Sequence, residues 1–240
     1  MNAPTIEKLA YDHAGAALEA HLALPPGQER RPAVLVCHAW RGQTDFERGK
    51  AERLASELGY AGAALDVYGR GVLGKDPLEC TKLMTPLRRD RGLLRARLLA
   101  GLAAVRAHPR VDPARVAVIG FCFGGLCALD VARAGADVRG VVAFHGLFEP
   151  PDGLEVGPVR AKVLALHGHD DPMATPAQVL AFQTEMTALG ADWQVHVYGG
   201  TKHAFTNPEA NDDARGTVYQ PRADRRSWES MRAFLGEVLE

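Results

Sequence analysis

Val116-Ala117-Val118-Ile119-Gly120-Phe121-Cys122-Phe123-Gly124-Gly125-Leu126-Cys127-Ala128-Leu129 is an uncharged run of 14 residues at the centre of the chain. Its first four residues are small or β-branched and apolar, the composition of a strand buried on both faces. Its second half begins a run of small side chains, Phe123 to Ala134, that reads as a closely packed helix. Between them, Gly120-Phe121-Cys122-Phe123-Gly124-Gly125 has the G-x-nucleophile-x-G form, with cysteine where serine usually stands. A strand-to-helix turn this sharp forces its central residue into strained dihedrals and brings backbones together, so a β-carbon at Gly120 or Gly124 would clash. Such a turn places the Cys122 sulfur at the positive end of the helix, which favours thiolate, and aims the Phe123 amide at a developing oxyanion. Taken alone, the hexapeptide also suits a small buried cysteine. It lacks the Lys-Ser/Thr ending of a P-loop and does not match G-x-G-x-x-G, so a nucleotide site is disfavoured.

Outward from this turn, short apolar runs alternate with longer amphipathic ones. AVLVCHAW from Ala33, AGAALDVY from Ala61, RVAVIGF, VRGVVAFHG, KVLALHG and WQVHVYGG read as strands. Residues 45–58, 86–107, 123–134, 176–189 and 222–239 read as helices, with Thr175 as N-cap and Pro176 at the first helical position. ALEAHLALP, from Ala17 to Pro25, is expected to be an antiparallel edge strand. The alternation specifies an α/β class with a mostly parallel central sheet covered by helices on both faces. With no internal repeat and no long linker, one domain over 1–240 is the simplest organisation, and residues 199–221 read as a polar loop within it.

Composition narrows the function. Twenty-eight basic residues against 29 acidic ones leave a formal charge of −1, which provides no field to recruit nucleic acid. No apolar run reaches the roughly 18 residues a membrane span needs, and MNAPTIEKLAYDHAG shows no signal-peptide pattern. A cytoplasmic protein with free thiols at Cys37, Cys80, Cys122 and Cys127 is therefore expected. His167 and His169 are spaced as metal ligands on an extended segment, but no acidic or sulfur partner at matching spacing completes a site, so no metal is expected.

A thiol nucleophile needs a histidine to take and return its proton and an acid to fix that histidine's tautomer. Two strand ends supply them in the order acid, then base: His167-Gly168-His169-Asp170-Asp171-Pro172 after KVLALHG, and Thr201-Lys202-His203-Ala204-Phe205 after WQVHVYGG. Asp171 carries the Asp-Pro step and is preferred, with Asp170 serving if the loop shifts by one. Read singly, Asp171 also fits a helix cap and His203 a solvated loop residue. Parallel strands bring their C-terminal ends to one edge, where open α/β sheets bind ligands, so Cys122, Asp171 and His203 are expected to meet there as a triad.

These motifs, with VLVCHAWRG near the start and ALDVYGRG after the next strand, resemble the dienelactone hydrolase family of α/β-hydrolases from about Pro32 to the C-terminus. The resemblance implies a Cys122, His203, Asp171 triad, no cofactor, and a second oxyanion-hole amide from Trp40 to complement Phe123. Two departures stand out. The family's better-known members have a glutamate in the loop after the first central strand, where this chain has Ala39, and an arginine four residues past the catalytic histidine, where it has Asn207. Arg88, Arg89 or Arg91, in the basic stretch LRRDRGLLRAR, is the candidate to reach the pocket mouth from another direction, although such a run also reads as a solvated helix face. The leading expectation is therefore hydrolysis of a small-molecule carboxylic ester or lactone through a thioester, with Tyr68, His145 and Phe148 among the pocket residues and a monomer or homodimer as the assembly. A small-molecule-binding protein without turnover, and thiol redox sensing through Cys122 and Cys127, are the competing readings.

Overall fold

The computed structural model of the protein describes residues 3–240. A hairpin opens the chain: β1 (Thr5–His13) and β2 (Ala16–Leu24) pair antiparallel in continuous register from Thr5↔Leu24 to His13↔Ala16. The two-residue connection Ala14-Gly15 takes positive φ at both positions, 50° and 80°, as a type I′ turn requires. Then follow β3 (Arg31–Cys37), α1 (Asp45–Leu58), β4 (Ala61–Ala64), α2 (Pro77–Arg89), α3 (Arg91–Ala107), β5 (Val111–Phe121), α4 (Phe123–Arg133), β6 (Gly140–Phe144), β7 (Lys162–Gly168), α5 (Pro176–Ala188) and β8 (Trp193–Tyr198). A two-stranded ribbon of β9 (Asn211–Asp212) and β10 (Thr217–Val218) precedes the closing helix α6 (Pro221–Leu239).

The main sheet has eight strands in the order β1-β2-β4-β3-β5-β6-β7-β8, and β3 through β8 all run parallel. Alternate side chains of the central strands feed two cores. On β5, Val116 and Val118 join a layer with Leu94, Leu98, Leu126 and Phe182 from α3, α4 and α5. Ala117 and Ile119 face the opposite layer, with Leu54 of α1 and Trp228, Met231 and Leu235 of α6. Strands covered on both sides in this way must be apolar throughout, which is why β3, β5, β6 and β7 read as unbroken apolar runs. The architecture is that of an α/β-hydrolase.

Two expectations are corrected. The strand expected at the edge is β2, and it lies one place inside, because Thr5–His13 forms an outer strand whose residues are exposed or half-buried and carry no clean apolar alternation. The single helix expected over 86–107 is two helices. Asp90 adopts φ −101° and ψ 81°, ends α2 and caps α3 by accepting from the Leu93 amide at 2.8 Å. The other helices fall within a residue or two of expectation, and Gln178 accepts from the Thr175 amide at 2.8 Å to fix the start of α5.

Candidate active site

The C-terminal ends of β3 to β8 share one edge of the sheet, and the expected site residues come from loops along it. Cys122 sits between β5 and α4 at φ 57° and ψ −116°, a strained conformation for a residue with a side chain. Glycines permit it. An added β-carbon at Gly120 would lie 1.9 Å from the Gly124 carbonyl oxygen, and one at Gly124 would lie 2.1 Å from that of Cys37. Of the four described non-glycine residues with positive φ, three surround this edge: Cys122, His145 and Ala204. Strain of about 1–3 kcal/mol at each such position persists only where neighbouring contacts over-determine it.

Asp171 and His203 meet. His203 Nδ1 donates to Asp171 Oδ2 at 2.7 Å, and both side chains are buried. Asp171 Oδ1 accepts from the Met173 amide at 2.8 Å, so the carboxylate is held from two sides. Asp170 is exposed and its backbone alone is engaged here, donating to the Thr201 carbonyl at 2.9 Å. With Nδ1 committed as donor, His203 Nε2 makes no hydrogen bond among the described residues. Burial works against charging this ring, but the interaction with Cys122 and the bond to Asp171 outweigh it and lift its pKa from 6.5 to about 10. Cys122 is half-buried at the N-terminus of α4, on the same edge, and no hydrogen bond joins its sulfur to His203 among the described residues.

Neither the Phe123 nor the Trp40 amide donates to an acceptor among the described residues. The loop carrying Trp40 is fixed from both flanks. Glu47, buried in the first turn of α1, accepts from the Ala39 amide at 3.1 Å and from the Thr44 amide at 2.9 Å. Tyr68 donates its hydroxyl to the Trp40 carbonyl at 2.9 Å and stacks on Phe123 with ring centroids 6.1 Å apart. Burial first, then Cys127 and Cys122, pushes the Tyr68 phenol well above its usual range, so it remains a donor. Glu47 was missed in the sequence as a site residue, although Thr44-x-x-Glu47 is a legible capping box.

Of the three residues expected at the pocket, Tyr68 is half-buried, while His145 and Phe148 are buried. His145 has both ring nitrogens engaged, accepting at Nδ1 from the Cys122 amide at 3.1 Å and bonded at Nε2 to Thr206 Oγ1 at 2.8 Å. Phe148 stacks on Phe182 and meets the edge of His167. The basic stretch does not supply a free cation from Arg91 or Arg88: Arg91 forms a buried pair with Asp130, with bonds of 2.5 and 2.6 Å, and Arg88 bonds Glu149 at 2.7 Å. The four cysteines are free, and burial pushes Cys37 up to about 12 and Cys127 well above its ordinary value. No helix among the described residues is long and apolar enough to cross a membrane.

A family model for dienelactone hydrolases matches residues 18–239. The chain belongs to the dienelactone hydrolase family. Among solved structures, a dienelactone hydrolase-like promiscuous phosphotriesterase, P91, from metagenomic libraries superposes with a TM-score of 0.94 at 33% identity, covering 100% of both chains. Carboxymethylenebutenolidase 2 of Cupriavidus pinatubonensis is 28% identical over 207 residues, 80% of this chain and 81% of that one. An uncharacterised Caenorhabditis elegans protein is 37% identical over 151 residues, 62% of this chain and 96% of its own. As a dienelactone hydrolase family member the chain is a hydrolase, and the edge carrying Cys122, His203 and Asp171 is where the family's fold gathers loops from successive strand ends.

Proposed function

We propose that the protein hydrolyses carboxylic esters or lactones through a thioester on Cys122. The observation that carries this reading is the His203 to Asp171 hydrogen bond of 2.7 Å, which leaves Nε2 unengaged on the sheet edge that also holds Cys122 at φ 57°. His203 holds the thiol proton as imidazolium, and Asp171 offsets the charge and fixes the tautomer. The thiolate attacks the substrate carbonyl, forming a C–S bond, while the amides of Phe123 and Trp40 receive the negative charge on oxygen. Collapse of the tetrahedral intermediate breaks the C–O bond, and His203 gives its proton to the departing alkoxide. His203, now neutral, takes a proton from water as that water attacks the thioester. The acid is released and the Cys122 thiolate and His203 imidazolium return.

Thiol activation requires no carboxylate at Ala39 in this scheme, because the imidazolium and the N-terminal end of α4 both stabilise the sulfur anion. The P91 relative is described as a phosphotriesterase, and the same thiolate and amides suit attack at tetrahedral phosphorus as a side activity. Turnover of p-nitrophenyl acetate tests the reading. Cys122→Ala is expected to abolish it, and a Cys122→Ala enzyme as active as the wild type would overturn the assignment. Tight binding of an ester with no product and no alkylation of Cys122 by iodoacetamide at neutral pH would favour the non-catalytic alternative.

A further inference from the structure

His145 is buried outside the group that carries the chemistry above, yet it touches both halves of it. The Cys122 amide is shared between the Phe144 carbonyl oxygen at 3.0 Å and His145 Nδ1 at 3.1 Å. A backbone N–H can only donate, so Nδ1 is an acceptor and carries no proton. The ring proton therefore sits on Nε2 and is donated to Thr206 Oγ1 at 2.8 Å. Thr206 is buried three residues beyond His203, in a turn where Ala204 has φ 57° and its carbonyl accepts from Asn207 at 2.9 Å. The imidazole thus spans from the nucleophile's own backbone to the loop that carries the catalytic base.

Its backbone is set for this. His145 has φ 37°, which few residues with a side chain adopt, and its amide donates to the Leu166 carbonyl at 2.8 Å. The ring packs edge-on against His203 with centroids 5.0 Å apart, and against Phe205 at 5.1 Å. Burial, then the facing positive charges of His203 and Lys50 and the nearby His167, hold its pKa well below the ordinary 6.5, so the ring is neutral while His203 is charged.

We propose that His145 is a positioning residue: as a neutral ring protonated on Nε2 it ties the Cys122 amide to the Thr206 hydroxyl and so fixes the approach of the Cys122 sulfur to His203. The proposal rests on the thioester reading above. It explains why two strained residues, Cys122 and His145, adjoin on neighbouring strands, since each is restrained by the bond between them. The polar link is one a phenylalanine at 145 would fill in volume but not replace.

Kinetics of p-nitrophenyl acetate hydrolysis and the rate of Cys122 alkylation by iodoacetamide, measured on His145→Phe, Thr206→Val, Thr206→Ser and the His145→Phe/Thr206→Val pair, test it. Misplacement by a fraction of an ångström predicts kcat lower by about 10- to 100-fold in His145→Phe and Thr206→Val, with KM within about twofold and alkylation slowed. Thr206→Ser, which keeps the acceptor, restores both rates, and the double variant is no slower than His145→Phe, because both changes break one connection. Unchanged kcat in Thr206→Val, an equal loss in Thr206→Ser, or losses that multiply in the double variant would overturn the proposal. Thr206→Val and Thr206→Ser decide the matter even if His145→Phe fails to fold. Full activity in Cys122→Ala would instead overturn the thioester reading, and the alkylation rates would still report on the link.

Discussion

His203 and Asp171 stand 32 residues apart in the chain and are joined by a 2.7 Å hydrogen bond inside the protein, with the carboxylate's second oxygen held by the Met173 amide at 2.8 Å. An acid fixed by two bonds orients the imidazole rigidly, so Asp171→Asn is expected to preserve the fold and spoil the tautomer. The amide nitrogen of asparagine would face Nδ1 and drive its proton to Nε2. Steady-state kinetics on p-nitrophenyl acetate should show kcat reduced by about 10³-fold or more, with circular dichroism unchanged. A loss below tenfold would assign the role elsewhere, and Asp170→Asn is the control expected to stay near wild-type rate.

The raised pKa of His203, about 10 against an ordinary 6.5, makes stability depend on pH in a definite direction. The folded state holds this proton more tightly than the unfolded chain. The contribution is complete below about pH 6.5 and is lost as pH rises toward 10. Since the interaction with Cys122 contributes most to raising this pKa, Cys122→Ala should flatten the decline. Urea denaturation midpoints from pH 6 to 10 for both proteins, at matched ionic strength, measure this. Parallel profiles would contradict the thiolate–imidazolium pair.

Glu47 braces the loop that presents the Trp40 amide, accepting from both Ala39 and Thr44 while buried. Glu47→Ala strands those donors, and unsatisfied buried donors cost about 1–3 kcal/mol. For a chain of this size that corresponds to a melting temperature lower by about 2–12 °C. A loosened amide should also lower kcat more than it raises KM. Calorimetry together with kinetics would distinguish this from a cap that affects stability alone, in which case kcat at 25 °C would be unchanged.

How much of this was legible in the sequence follows from where each feature is encoded. The parallel strands and the Cys122 turn were legible because burial on both faces and close backbone approach each leave local marks: unbroken apolar runs and paired glycines. The ends of β7 and β8 located Asp171 and His203, since topology alone brings strand ends together. The outer strand β1 left no such mark, because one face is exposed and its turn uses Ala14-Gly15 rather than Asn-Gly. The break at Asp90 depends on a single residue leaving helical dihedrals within a strongly helical composition. The engagement of His145 by Cys122 and Thr206 is a contact between loops remote in sequence, for which no spacing rule exists.

Arg91 and Asp130 form a buried pair, 5% and 1% exposed, and Arg133 extends it by donating to Glu185 at 2.7 and 2.8 Å and to the Phe148 carbonyl at 2.7 Å. This cluster anchors the segment after β6 to α3, α4 and α5. Removing one partner leaves an uncompensated buried charge, so Asp130→Ala should lower stability by about 3–5 kcal/mol. Denaturant titration checks the magnitude, and a change under 1 kcal/mol would show the pair to be dispensable.

The proposed reaction passes through a covalent bond to one sulfur, that of Cys122. Rapid acid quench of the enzyme during turnover of p-nitrophenyl acetate, followed by peptide mapping by mass spectrometry, reads it directly. The prediction is one acetyl group on the peptide bearing Cys122, appearing with the burst of p-nitrophenol and disappearing once substrate is exhausted. Sustained p-nitrophenol release with Cys122 unmodified throughout would contradict it.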